Sequence, residues 1–402
     1  MMVKMNILWL IVLFLSYSSC FAADSDKINA ERQALNQSTV EKMEDYRSTY
    51  KLPSLSMSIA IQGEVVFEHA VGYADIETGL KATPRTQYSV GSIAKPMTSI
   101  ALGCLMDAKK IDLEADIHHY LPDYPKSEHK ITIKQLASHT AGIGRPWKAR
   151  NQREYVDVRD HTSPLEALDL FQGDELIFVP GEDFAYTSSG YILLSAAIES
   201  AAEQYFIDYM QQSVWDPLEM NQTEHDTSTA GQKEGSGENG HLEATYYASV
   251  DDNGAFTPST TKRDRSYLFG GGGFISTPTD MVKMAQAFYS ENFLSAEAKK
   301  AILTPVKLTN GENNEQSYGL GWRMINIPTL RINGNEPQLV HHGGVTDKAA
   351  TAFLLLMPEY KAAVAYAVNM NARDAHAMRP SVAEILADYV SQSIASGNNG
   401  AN

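Results

Sequence analysis

Cysteine is nearly missing from this sequence: Cys20 and Cys104 are the only two in 402 residues. Cys20 falls in an amino-terminal stretch that reads as a leader, so the remaining chain is expected to keep Cys104 alone, with no internal disulfide. Paired-cysteine and His-Glu-x-x-His spacings are also absent, and the adjacent His118 and His119 would face apart on a helix. No metal and no other cofactor is implied. No repeat of fixed period runs along the chain, which argues against solenoids and propellers. Basic residues are scarce, 33 Lys and Arg against 49 Asp and Glu, for a net charge of −16. Such a surface repels phosphate backbones and anionic membranes, so no nucleic-acid partner is expected.

Long apolar runs are missing as well. Residues 7–15 form the longest, too short to span a bilayer comfortably. Lys4 precedes this run, and Cys20-Phe21-Ala22 offers small residues at the −3 and −1 positions of a signal-peptidase site. The expectation is cleavage near Ala22/Ala23 and a periplasmic or secreted protein without stable membrane insertion. The alternative is a lipoprotein anchored through Cys20, against which Tyr17 stands where a branched aliphatic residue is expected.

The hydrophobic pattern predicts a helix over 27–50, a hairpin of strands 55–61 and 65–70, and a mainly helical stretch from 92 to about 225. Its pieces are 92–109, 133–138, 164–171 and 191–210. A short hairpin over 245–256 and a helix over 278–289 follow. Strands return at 318–325, 338–342, 352–357 and 362–368, before a closing helix over 381–394. Strands at both ends with helices between imply an α/β fold: an antiparallel sheet built from both termini, flanked by helices, with an inserted mainly helical lobe. The expected division is a leader at 1–22 and one catalytic unit at 23–402. The sheet lobe takes about 23–90 and 310–402, the helical lobe about 91–309.

Three motifs carry the chemistry. In Ser92-Ile93-Ala94-Lys95 a hydroxyl and an amine lie one helical turn apart on one face, ahead of a strongly apolar helix. Another Ser-x-x-Lys, Ser127 to Lys130, lies in a polar turn and reads as solvated loop. In Tyr186-Thr187-Ser188 an extended backbone would turn the phenol and the Ser188 hydroxyl the same way. Either Lys95 or Tyr186 could take the Ser92 proton. In His341-His342-Gly343-Gly344, ending a late strand, alternation puts His341 and Gly343 on one face. The Gly344 amide would then pair with that of Ser92 as an oxyanion hole. The glycines at 270–273 lack a phosphate-cradle pattern and read as a tight turn beside the cleft.

Taken in this order, the motifs resemble the penicillin-recognising serine hydrolases: class C β-lactamases, D-alanyl-D-alanine carboxypeptidases, D-aminopeptidases and related esterases. The likeness extends to IHHYLP (117–122), LASHTAG (136–142), PGEDFAYTSSGYILL (180–194), GGGFISTPTD (271–280) and YGLGW (318–322). Within that family it most resembles the mitochondrial β-lactamase-like serine protease and its bacterial relatives. The resemblance implies a β-lactamase/DD-peptidase-like fold, with Ser92 as acylated nucleophile, Lys95 as its proton partner and Tyr186 as general acid/base. Ser188 takes the place of a third polar group. His341 stands where the family has a lysine or histidine, with His342 in that place if the register slips by one. His139 matches a position taken as structural.

Two departures bear on substrate. Serine replaces the asparagine of class C β-lactamases at 188, and histidine replaces a lysine that could hold a substrate carboxylate. Both favour esters, or amides read by other contacts. The expected protein is therefore an exported serine hydrolase acting on a small-molecule or peptide substrate through an acyl-enzyme. The alternatives are a β-lactamase or cell-wall carboxypeptidase and, from another class, a non-catalytic peptidoglycan-binding or filament-forming protein.

Overall fold

The structure is a computed structural model that describes residues 5–144, 161–227, 242–259, 265–372 and 377–397, with backbone only for 5–26. Of the stretches 145–163 and 232–265, residues 145–160, 232–241 and 260–264 lie outside the described residues. The amino-terminal half holds α1 (Met5–Thr49), β1 (Ser54–Ile61), β2 (Glu64–Asp75), β3 (Leu80–Lys81) and β4 (Thr86–Ser89). Then come α2 (Ala94–Asp107), α3 (Ile133–Ala137), α4 (Pro164–Ala167), α5 (Ser189–Ala202) and α6 (Phe206–Met210). Short strands follow: β5 (Glu224–His225), β6 (Leu242–Glu243), β7 (Tyr247–Val250), β8 (Phe256–Pro258) and β9 (Phe274–Ser276). The remainder is α7 (Pro278–Lys283), α8 (Gln286–Tyr289), α9 (Ala296–Ile302), β10 (Arg323–Ile325), β11 (Leu339–Thr346), β12 (Ala350–Met357), β13 (Ala362–Val368) and α10 (Arg379–Ala395). Among the described residues no helix is long and apolar enough to cross a membrane.

Seven strands form one antiparallel sheet in the order β10-β11-β12-β13-β1-β2-β3. The two ends of the chain meet in it, because β1 pairs with β13 from Ser56↔Ala367 to Ile61↔Ala362. Strands β1, β12 and β13 are buried along their whole length, as central strands covered on both faces are. Their alternate side chains divide between two cores. Phe353, Leu355, Val364 and Tyr366 pack with Val382, Leu386 and Tyr389 of α10. Ala352, Leu354, Leu356, Ala363 and Ala365 belong to the larger core, which holds α2 and α5. Helix α2 is buried almost all round, which accounts for its largely apolar sequence, and its buried Lys95, Thr98 and Ser99 are hydrogen-bonded.

Several expected elements are divided. The helix predicted over 191–210 becomes α5 and α6, because Glu203 adopts a left-handed φ of 57° as the α5 C-cap. The Glu199 carboxylate then accepts from the Phe206 amide at 2.8 Å and opens the next helix. The strand predicted over 318–325 shrinks to β10. Ahead of it, the Asn314 side chain accepts from the Tyr318 amide and donates to the Val306 and Tyr318 carbonyls, each at 2.8 Å, holding a turn.

Candidate active site

The nucleophile segment leaves the sheet region through β4 and Val90. A helix was expected from residue 92; instead Ser92 lies in a 3₁₀ turn over Gly91–Ile93, and α2 starts at Ala94. Lys95 is fully buried. Its Nζ donates to Ser92 Oγ at 3.1 Å, to Ser188 Oγ at 3.2 Å and to the Gly271 carbonyl at 2.6 Å. Three acceptors offset the cost of taking an amine out of water. The glycine stretch at 270–273 thus supplies a ligand for Lys95, which nothing in its sequence pattern indicated.

Tyr186 precedes α5 and is half-buried, and Ser188 stands at the N-cap position of that helix without a side-chain capping bond. Burial works to raise the Tyr186 phenol, but Lys95 and Arg323, with hydrogen bonds to Ser92 and Lys95, hold it below the ordinary tyrosine range. Below it lies His139, whose ring centroid is 4.4 Å from that of Tyr186, 5.1 Å from Tyr191 and 4.7 Å from Tyr318. His139 Nδ1 accepts from the Thr187 amide at 3.3 Å.

The third motif lies within β11 rather than at the end of a strand. His341 lines the cleft and packs at a tilt against Phe353, with ring centroids 5.6 Å apart. His342, pointing to the other face, approaches Tyr186 with a centroid distance of 6.1 Å. Its Nε2 lies 2.9 Å from Arg323 Nη1 and 3.0 Å from the Tyr318 hydroxyl. The histidine beside the phenol is therefore His342, one position later than the expected His341, because the strand pleat sends neighbouring residues to opposite faces.

The same shift moves the glycines. Gly343 lines the cleft. The closest backbone approach is at Gly344, where a Cβ would sit 1.9 Å from the Val90 carbonyl oxygen. The Val345 carbonyl oxygen lies 3.0 Å from where a Cβ on Gly91 would stand. On a strand the N–H and C=O of one residue share an edge and the next residue uses the other. Val345 thus turns its amide toward the Ser92 segment and Gly344 turns its amide toward β12, which corrects the expectation of an oxyanion donor at Gly344.

The cleft above these groups encloses about 420 Å³, and Ser92, Tyr186, Ser188 and Val345 line it. So do Arg323 and Arg379, which the sequence reading passed over. Arg323 follows YGLGW directly; Arg379 opens the closing helix, and neither position carries a local pattern pointing to a cleft. A larger groove of about 660 Å³ lies elsewhere, between α1, β2 and α7. Among the described residues no group of three His, Cys, Asp or Glu is placed to hold a metal.

The Beta-lactamase family model matches residues 36–387. The serine beta-lactamase-like protein LACTB, mitochondrial, of Homo sapiens is 25% identical over 390 residues, covering 76% of this chain and 69% of that protein. Penicillin-binding protein 4* of Bacillus subtilis is 24% identical over 291 residues, 70% of this chain and 60% of that one. Among solved structures, the octameric penicillin-binding protein homologue from Pyrococcus abyssi superposes with a TM-score of 0.66 at 23% identity. It covers 90% of this chain and 78% of its own, a likeness of fold.

Proposed function

This chain belongs to the Beta-lactamase family of serine hydrolases, and we propose that it is an exported member that cleaves an ester or amide bond through an acyl-enzyme on Ser92. The observation that carries the reading is the buried Lys95 amine, which donates to Ser92 Oγ at 3.1 Å and lies 4.8 Å from the centre of the Tyr186 ring in the cleft that Ser92 and Tyr186 line. Export is supported by the leader-like segment at 1–22.

In the reaction, Ser92 Oγ bonds to the substrate carbonyl carbon as its proton passes to the Tyr186 oxygen, with Lys95 holding both oxygens in place. The carbonyl electron pair moves onto oxygen, where the amides of Ser92 and Val345 receive it. Collapse of this intermediate breaks the bond to the leaving group, which takes the proton back from Tyr186. Water then repeats the sequence and releases the acyl group. A fluorophosphonate probe should label the protein, and Ser92→Ala should abolish labelling. Labelling that persists removes Ser92 from the chemistry.

A second reading, a β-lactamase or carboxypeptidase acting on substrates with a free carboxylate, is favoured by one observation. Arg323 and Arg379 bring two guanidinium groups to the cleft, the cationic character that a histidine in place of lysine lacked. Turnover of nitrocefin, or D-alanine release from a D-alanyl-D-alanine peptide, would support it; turnover confined to neutral esters would remove it.

A further inference from the structure

The strand histidine that stands beside Tyr186 is not itself a cation. His342 is fully buried, and its Nδ1 lies 2.8 Å from the Gly343 carbonyl oxygen, which only a protonated Nδ1 satisfies. Nε2 is left as an acceptor for Arg323 Nη1. Burial, Arg323 and Lys95 together hold this imidazole well below the ordinary histidine range, so it is neutral. Arg323 Nε donates to Gln316 Oε1 at 2.7 Å. Both clamps on the guanidinium are uncharged, and among the described residues no ion pair includes Arg323.

The clamp holds the charge between the rings of Tyr186 and Tyr318, which lies 5.0 Å from the guanidinium carbon. The guanidinium carbon lies 4.9 Å from the Tyr186 centroid, and Lys95 Nζ lies at 4.8 Å. The backbone that carries Arg323 is tied to the helix that carries Lys95. Trp322 Nε1 donates to Ser99 Oγ at 3.0 Å. Gly321, with φ of 91°, packs where a Cβ would stand 2.9 Å from the Lys95 carbonyl oxygen. The two cations therefore hold fixed positions about the phenol.

We propose that Arg323 is the positioning residue that fixes the charge state of Tyr186: His342 and Gln316 act as a neutral clamp, and the cation absent from β11 is supplied by the neighbouring strand. The proposal deepens the hydrolase reading and rests on Tyr186 as acceptor of the Ser92 proton. Other groups also face the phenol: Lys95 from α2, His139 beyond α3, Tyr191 from α5, Tyr318 before β10 and His342 from β11. His341 and Arg379 line the same cleft. Lys95 and Arg323 are the two whose charge favours the phenolate. With one removed, burial opposes ionisation of the phenol against a single cation.

The test uses the full chain and p-nitrophenyl acetate, a neutral ester that offers no carboxylate, with kcat/KM measured from pH 5 to 10. Arg323→Gln should move the acidic limb upward by about one to two pH units. That is a loss of about tenfold or more at pH 6, narrowing to a few-fold near pH 9.5. Arg323→Lys should recover part of the shift. Gln316→Ala, which loosens the clamp and leaves the charge, should shift the limb the same way by less, and it decides the matter if the arginine variants fold poorly. Carbon-13 NMR of the tyrosine ring carbons, with Tyr186 assigned from Tyr186→Phe, should show the same displacement directly. A loss uniform across pH, or an unmoved limb and resonance, overturns the proposal. If the unmodified chain acylates while the limb stays put, this inference alone fails. If the unmodified chain acylates with neither the ester nor a fluorophosphonate, the hydrolase reading fails and takes this inference with it.

Discussion

Lys95 makes its shortest hydrogen bond not to Ser92 but to the main-chain carbonyl of Gly271, at 2.6 Å. That carbonyl follows Phe269, which takes a φ of 40° inside the 3₁₀ segment Ser266–Gly271. It also accepts from Ser188 Oγ at 3.3 Å. Gly271 has room only for hydrogen, since a Cβ there would meet the Ser188 carbonyl oxygen at 2.9 Å. The amine is therefore held from beneath by backbone and presented to the nucleophile from one side.

Lys95→Ala should accordingly lower the acylation rate by about 10²–10⁴-fold, the range for loss of a proton-transfer partner. Stopped-flow release of p-nitrophenol in the first turnover measures it. A loss under threefold would take Lys95 out of the proton path.

Gly344→Ala tests the contact between β11 and the nucleophile segment. The new methyl would fall 1.9 Å from the Val90 carbonyl oxygen, so one backbone must retreat. The expected cost is about 1–3 kcal/mol in stability, read from the urea midpoint. A fall in kcat of at least a hundredfold is expected with it, because the Val345 amide would withdraw from Ser92.

Behind β4, Glu243 answers to pH. Burial, with Asp226 adding to it, pushes its carboxyl up to about 7, against the Tyr246 hydroxyl and Arg265, which lower it. The folded state thus keeps a proton that an unfolded carboxyl, at 4.5, has already released. The native state binds more protons across pH 4.5–7, so stability falls as pH rises through that window. Glu243→Gln should match the unmodified chain at pH 4 and gain about 2–3 kcal/mol on it at pH 8, followed by thermal unfolding. Equal curves at both pH values would show that Glu243 ionises without penalty.

Arg379 separates the two substrate readings. Arg379→Ala should raise KM for a carboxylate-bearing substrate by about tenfold, the worth of one charge-assisted hydrogen bond, and change KM for a neutral ester far less. Equal effects on both substrates would assign the arginine to packing over Phe353, whose ring it covers at 5.1 Å.

The sequence by itself determined what depends on near neighbours along the chain. The pairing of Ser92 with Lys95 follows from helical spacing, and the buried strands β12 and β13 announce themselves as unbroken apolar runs. Tyr186 was found through its motif, although four further Tyr-x-Ser triplets, at Tyr17, Tyr46, Tyr247 and Tyr389, share its bare pattern. Tertiary structure alone decided which of His341 and His342 meets the phenol, since a one-residue change of register exchanges the faces of a strand and leaves its composition untouched. It also decided that Arg323, Arg379 and the Gly271 carbonyl join the site. These groups lie 179 to 287 residues from Ser92 along the chain in different elements, and no local periodicity records a contact that exists only once the strands have paired and the helices have packed.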